Sequence, residues 1–351
     1  MKVRDIGSAL SASCEDLRVA MNNMGYMNAR VVFNTKVRGK KLKAIYTLLP
    51  GKPFMIDRFS YDIQDSIIAD ILKPNLSQGL DATHPRQFTV LALDNERKRI
   101  TKILNDQGYY RFNKDYIYYT ADTVRGSRAV DVTLHLTKYQ PSSVSEPALH
   151  PRYIVGRVNV LPGDSTGLHI RREIIADNTL IEPGKYFSAT DLQTTYNNLA
   201  RLGAIRYTDI EFKEMQRVDS IIVGKMLGYQ QSEKRYLEAN IKLSSNKPNT
   251  ISFQPEGTNT AGDLGAAAVL TYQNRNLFHG SELFSIELRA AFEAIKGLEG
   301  YNNHNYEEYG VQARLQFPRF LSPFSTREFR RRSNAVSELS VSWDLQDRPE
   351  F

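Results

Sequence analysis

A single cysteine, Cys14, rules out an internal disulfide and any metal site built on several thiolates. On a short amphipathic helix a lone thiol reads as a small packing residue rather than a reactive one. No stretch approaches the roughly 20 consecutive apolar residues of a transmembrane helix, so helical spanning is excluded. A β-barrel is not excluded by the same test, because alternating strands average to a mild hydropathy. Residues 1–21 also lack the apolar run of about 7–15 residues that forms a signal-peptide core. That fits either a cytoplasmic chain or one that begins partway into a longer protein.

Catalytic and cofactor grammar is scarce as well. The six histidines (His84, His135, His150, His169, His279 and His304) show no metal-ligand spacing and read as solvated loop or strand residues. Neither a G-x-S-x-G elbow nor a phosphate-binding glycine loop is present. Glu307 and Glu308 are neighbours, but adjacent strand residues point to opposite faces and cannot act as a carboxylate pair. The expectation is a protein that is not an enzyme and has no metal and no cofactor.

The formal charge is +7, with basic clusters at Lys36–Lys41 and Arg330–Arg332. No recognition helix, zinc motif or stacking motif accompanies them, so nucleic acid is not expected as a partner. The first cluster has the form of a hairpin tip, with Gly39 at the turn.

What the chain does contain is a repeat. An amphipathic helix, a glycine and two alternating strands recur at 16–49, 97–138 and 191–243. Four residues before Gly25, Gly108 and Gly203 stand Met21, Leu104 and Leu199; eight before stand Leu17, Ile100 and Thr195. That spacing is one helical stripe ending at a residue able to take the left-handed conformation. The strand 129–138 alternates strictly, Val130, Val132, Leu134 and Leu136 against Asp131, Thr133, His135 and Thr137. A strand and a short helix precede the second and third copies, at 54–72 and 153–176. Ser188 is placed as the N-cap of the third long helix. The order is β-α-α-β-β, and the first copy lacks its opening strand and first helix. A linker is read at 141–151, from its Pro-Ser-Ser-Val-Ser-Glu-Pro composition.

Tandem β-α-α-β-β units of this size resemble POTRA (polypeptide-transport-associated) domains. The expected division is 1–49 (partial), 50–140 and 150–244, with 245–351 as a separate region. In that region helices give way to long hairpins. Phe284, Ile286, Leu288, Ala290 and Phe292 alternate with Ser285, Glu287, Arg289, Ala291 and Glu293. Val311, Leu315 and Phe317 alternate with Gln312, Arg314 and Gln316, and Leu339, Val341 and Trp343 with Glu338, Ser340, Ser342 and Asp344. Charged inner faces and a long loop at 296–306 favour a barrel over a soluble β-sandwich. The segments Arg275–Glu282 (Arg-Asn-Leu-Phe-His-Gly-Ser-Glu) and 317–324 (Phe-Pro-Arg-Phe-Leu-Ser-Pro-Phe) resemble the barrel entry of the BamA/TamA superfamily, the second in its Bacteroidetes-type members.

The resemblance implies α+β POTRA repeats followed by the first antiparallel strands of an incomplete transmembrane β-barrel, in a chain truncated at both ends. It implies an outer-membrane site with the modules in the periplasm, and a role in folding and inserting β-barrel clients. Its partners would be unfolded outer-membrane proteins, periplasmic or lipoprotein accessory subunits, and outer-membrane lipid. Lipid would be met by Phe284, Ile286, Leu288, Phe292, Val311, Leu315, Phe317, Leu339, Val341 and Trp343. Thr250, Ile251, Ser252, Phe253 and Gln254 would form the strand that pairs with a client. The alternatives are a polypeptide translocator of the same superfamily, or a soluble periplasmic peptide-binding or adhesion protein.

Overall fold

A computed structural model describes residues 3–39, 41–80, 86–123, 126–142, 144–165, 167–220, 233–260, 263–294, 306–324, 326–332 and 335–347. Two compact units divide it, Met1–Tyr153 with Val218–Arg235, and Ile154–Arg217 with Tyr236–Phe351.

In the first unit, helix α1 (Val3–Asn23) leads to an antiparallel hairpin of β1 (Arg30–Arg38) and β2 (Lys41–Leu49). Cys14 lies half-buried on α1. The helix closes at Gly25, where φ is +89°. Gly25 N–H donates to Asn22 O at 2.8 Å and Tyr26 N–H to Met21 O at 3.0 Å, the paired bonds of a Schellman ending. Gly39 turns the hairpin at φ +62°.

The next module runs β3 (Met55–Ile63), α2 (Ser66–Leu72), the two-residue β4 (Arg86–Gln87), α3 (Val90–Asp106), β5 (Ile117–Thr123) and β6 (Ala129–Leu136). Its sheet order is β4-β3-β6-β5, with β3 and β6 parallel. Parallel neighbours need a crossover, and the two helices supply it. Asp65 caps α2, its Oδ1 accepting from Ile67 N and Ile68 N at 3.0 and 3.2 Å; Thr89 caps α3 through Ala92 N. The stripe residues Ile100 and Leu104 are fully buried against Ile68, Leu72, Val130, Val132 and Leu134. Gly108 repeats the ending of α1, with φ +96° and Tyr109 N–H donating to Leu104 O. The modules are tied through that first glycine: Phe54 N–H donates to Gly25 O at 2.9 Å. A Cβ on Gly25 would meet Phe88 O at 2.4 Å, so the position is closed to larger residues twice over.

The segment 141–151 is not the slack linker its composition suggested. Tyr139 and Ala148 form an antiparallel bridge, Gln140 Nε2 donates to Ser145 O, and Ser142 and Ser145 bond to each other. His150, expected in solvent, is 2% exposed. Its ring lies edge-on to Phe112 and Tyr116 at 5.0 and 4.6 Å, and its Nε2 donates to Thr137 O at 2.9 Å. Burial is the larger influence on it and lowers its pKa, against an opposing pull from the Thr137 carbonyl.

The third module is β7 (Arg152–Pro162), α4 (Arg172–Asn178), α5 (Ala189–Ala200), β8 (Ile205–Ser220) and β9 (Glu233–Ser245), with sheet order β7-β9-β8. Ser188 caps α5, accepting from Asp191 N at 3.1 Å. Thr195, the polar member of the stripe, is fully buried with its hydroxyl satisfied. It donates to Asp191 O and accepts from Leu180 N. Gly203 departs from expectation, since it has no positive φ and closes no helix. Helix α5 ends earlier, and Leu202 turns back into the core at 1% exposure, its N–H bonded to Leu199 O. Gly203 instead lies beside Arg275, and its carbonyl accepts from Asn246 Nδ2.

Three residues after β9 the chain enters β10 (Asn249–Thr260), followed by β11 (Asp263–Asn274), β12 (Leu283–Ala294), β13 (Tyr306–Phe317), α6 (Arg327–Arg332) and β14 (Ser337–Asp347). The five strands are antiparallel and lie in chain order, with β10 and β14 at the edges. The loop expected at 296–306 falls outside the described residues up to Tyr306.

Candidate functional site

Each strand of this sheet alternates on its own, but only the register decides whether the alternations agree across it. They do. One row reads Phe253, Leu270, Leu288, Val311 and Trp343; the next reads Ile251, Tyr272, Ile286, Ala313 and Val341. Phe284, Leu315 and Leu339 pair in a further row, and Phe292 and Phe317 have the same parity. All ten residues named as lipid-facing therefore share one face. Much of that face is open, with Leu339, Val341 and Trp343 at 65%, 67% and 58% exposure.

The opposite face carries Glu256, Glu287, Arg289, Glu308, Arg314, Glu338 and Asp344. Arg289 lies 3.5 Å from Glu308 and 3.9 Å from Glu256, and Arg314 lies 3.2 Å from Glu338. Gly310 occupies the row between Arg289 and Asp344, where a Cβ would come within 2.7 Å of Asp344 Oδ1. Glu307 and Asp347 fall on the apolar side in the row of Phe292, at the strand ends, and bound that face. A sheet with an apolar face and a cross-paired charged face separates a dry surface from a wet one. Along the edge strand β10, Ile251 and Phe253 lie on the apolar face, and Thr250, Ser252 and Gln254 on the other.

The segment Arg275–Glu282 forms the turn between β11 and β12 and folds against the third module. Glu282 is 5% exposed, and its carboxylate accepts from Phe278 N at 3.1 Å and Gly280 N at 2.9 Å. It also pairs with the Arg171 guanidinium at 3.4 Å. His279 and Ser281 are held at φ 59° and 62°. For residues other than glycine that conformation costs on the order of 1 kcal/mol each, and it persists where surrounding contacts over-determine it. The motif was legible in the sequence; its docking partner was not, because His169, Arg171 and Ala204 come from distant stretches.

Sequence reasoning also missed a cavity of about 760 Å³ beside β7 in the third module. Val158 and Val160 of the strand, Ile175 of α4, and Leu168, Ile170 and Ile181 line it, together with Arg172 and Glu182. Strand β7 is an edge of its sheet. Among the described residues no cluster of three His, Cys, Asp or Glu side chains could hold a metal ion.

These features define a fold class: tandem β-α-α-β-β modules running into an open, two-faced antiparallel sheet. No protein-family model and no curated protein matches the chain. Among solved structures it is similar to BamA from Haemophilus ducreyi lacking POTRA domains 1–3, at 11% identity and a TM-score of 0.43. That match covers 83% of this chain and 51% of the other. It is also similar to POTRA domains 3–5 of Haemophilus influenzae BamA, at 13% identity and a TM-score of 0.38 over 67% and 80% of the two chains. CdiB from Acinetobacter baumannii aligns at 11% identity and a TM-score of 0.35, over 84% and 55%. The chain thus spans about half the length of the Haemophilus ducreyi BamA and CdiB structures.

Proposed function

We propose that this chain is the module-to-barrel region of an outer-membrane protein that assembles β-barrel clients. The observation that carries the reading is the sheet register, which gathers the apolar positions of five strands on one face and the ion pairs on the other. In an outer membrane the apolar face meets lipid and the charged face lines an aqueous lumen. The modules then lie in the periplasm. An extended client adds to a free sheet edge through main-chain hydrogen bonds, which tolerate varied client sequence. Edge strand β7, beyond Ile154 and Val155 whose edge is taken by residues 184–186, and edge strand β10 are the places we assign to such addition. The role is docking and templating, with no catalytic step and no cofactor.

A photo-crosslinking amino acid at Val160 or Phe253, in the protein expressed in its own cells, tests this. Adducts to newly made outer-membrane barrels support assembly, with accessory periplasmic subunits as further products. Adducts confined to a secreted polypeptide would replace assembly by translocation. Release of the protein by alkaline extraction without detergent would remove both membrane roles in favour of a soluble peptide-binding protein.

A further inference from the structure

The third module joins the sheet covalently through residues 246–248 alone, between Ser245 of β9 and Asn249 of β10. One chain crossing is a hinge, about which two bodies swing and twist. The Arg275–Glu282 turn adds contacts at two separated places on the module. At the loop before α4, His169 O accepts from Asn276 Nδ2 at 2.8 Å and from His279 Nδ1 at 3.0 Å. Arg171 N–H donates to His279 O at 2.9 Å, and its guanidinium meets Glu282. Beyond α5, Ala204 N–H donates to Ser281 Oγ at 3.0 Å. A covalent link and two non-covalent points that do not coincide remove the rotation that one link leaves. Helix α6, between β13 and β14, adds a further point beside α4, with Arg332 3.6 Å from Asp191.

We infer that this turn is a latch that makes the third module and the five-stranded sheet one rigid body, with Glu282 as its positioning residue. Glu282 meets the module through Arg171, and it organises the turn from inside by binding Phe278 N and Gly280 N. Asn276 works from the other end: its Oδ1 accepts from Ser281 N at 3.0 Å while its Nδ2 reaches His169 O. The left-handed His279 and Ser281 aim a carbonyl and a hydroxyl outward at the module. A Cβ on Gly280 would lie 2.1 Å from Glu282 Oε1 and 2.6 Å from Arg171 Nη2, so a larger residue there must displace the Glu282–Arg171 pair. Resting on the proposed client docking, the latch would present a strand added at β7 in a fixed relation to the β10 edge.

The test measures rigidity without any client, so its outcome is independent of the crosslinking experiment. In the full chain in detergent, with Cys14→Ser, spin labels are placed at Tyr207 on β8 and Leu264 on β11, both well exposed. A control pair at Leu264 and Val341 lies within the sheet. The latch predicts one narrow Tyr207–Leu264 distance distribution. Glu282→Ala and Asn276→Ala, each made together with Arg332→Ala to remove the pair from α6 to Asp191, should each widen it by about twofold or more relative to Arg332→Ala alone, leaving the control unchanged. Distributions as narrow as that of Arg332→Ala alone in both variants overturn the inference. If Glu282→Ala also widens the control, Asn276→Ala decides by the same criterion. Widening of the control in both variants overturns it too, since the turn then belongs to the folding of the sheet.

Discussion

Replacing Leu288 by arginine separates a lipid-facing sheet from a water-facing one. Leu288 stands near the middle of the 12-residue strand β12, between Leu270 and Val311, and is already 44% exposed. If that face met water, a long cationic side chain there would change stability by about 0.5 kcal/mol or less, as at ordinary surface sites. Twelve residues at about 3.4 Å each, tilted by about 45°, rise about 29 Å, close to the thickness of a hydrocarbon core. Leu288 is then near the midplane, where arginine costs about 2–4 kcal/mol. That is a roughly 30- to 700-fold loss in the inserted fraction. Phe292→Arg, near the strand end, should cost much less, since the penalty falls to about 0–1 kcal/mol near the interface. Glu287→Gln, on the charged face, should be almost silent. The assay is heat-modifiable migration of the membrane-extracted protein. Equal assembly of the Leu288→Arg and Phe292→Arg proteins would refute the reasoning, because a depth dependence is what lipid imposes and water does not.

Gly108→Val should destabilise the second module by about 1–2 kcal/mol or more, read as a lowered denaturant midpoint, because a β-branched residue resists φ near +96°. Gly203→Ala should be within about 0.5 kcal/mol of the parent, its Cβ meeting only ordinary contact with Arg275 at 3.7 Å. His150 has a folded-state pKa below that of the unfolded chain, so the unfolded state binds the extra proton first as pH falls. Its contribution to stability is intact above the ordinary histidine value and is lost as pH falls through the lowered one. A His150→Phe variant should flatten that part of the stability profile measured by denaturant titration. Limited proteolysis should nick first at Val144, 92% exposed at its turn, and spare the segment that carries His150. A first cut at 148–151 would mean the aromatic enclosure does not hold.

Period-two alternation in 284–292, 311–317 and 337–344 was readable because each β-strand writes its burial into nearest neighbours. Gly25 and Gly108 were readable for a similar reason, since a helix ending is a local event. Gly203 shows the limit. Its spacing matched the other two, yet the backbone there follows Leu202 into the core and Arg275 across the turn, neither of which spacing records. Thr195 looked like a defect in the stripe until its hydroxyl found Asp191 O and Leu180 N. His150 was read as solvated because Phe112, Tyr116 and Tyr139, which surround it, are scattered over the preceding forty residues or so. The cavity beside β7 and the docking of the Arg275–Glu282 turn lie in tertiary approach alone.

The register of β10 to β14 also constrains how this sheet can change over time. A deletion or insertion of one residue inside a strand turns every later side chain of that strand to the other face, setting Glu287 and Arg289 where Ile286 and Leu288 had been. A change of two residues restores the facing and alters only the strand's length. Parity, more than the identity of any single side chain, is what such a sheet must inherit. Relatives that diverge freely in sequence should therefore differ in strand length by even steps, with odd steps confined to the turns.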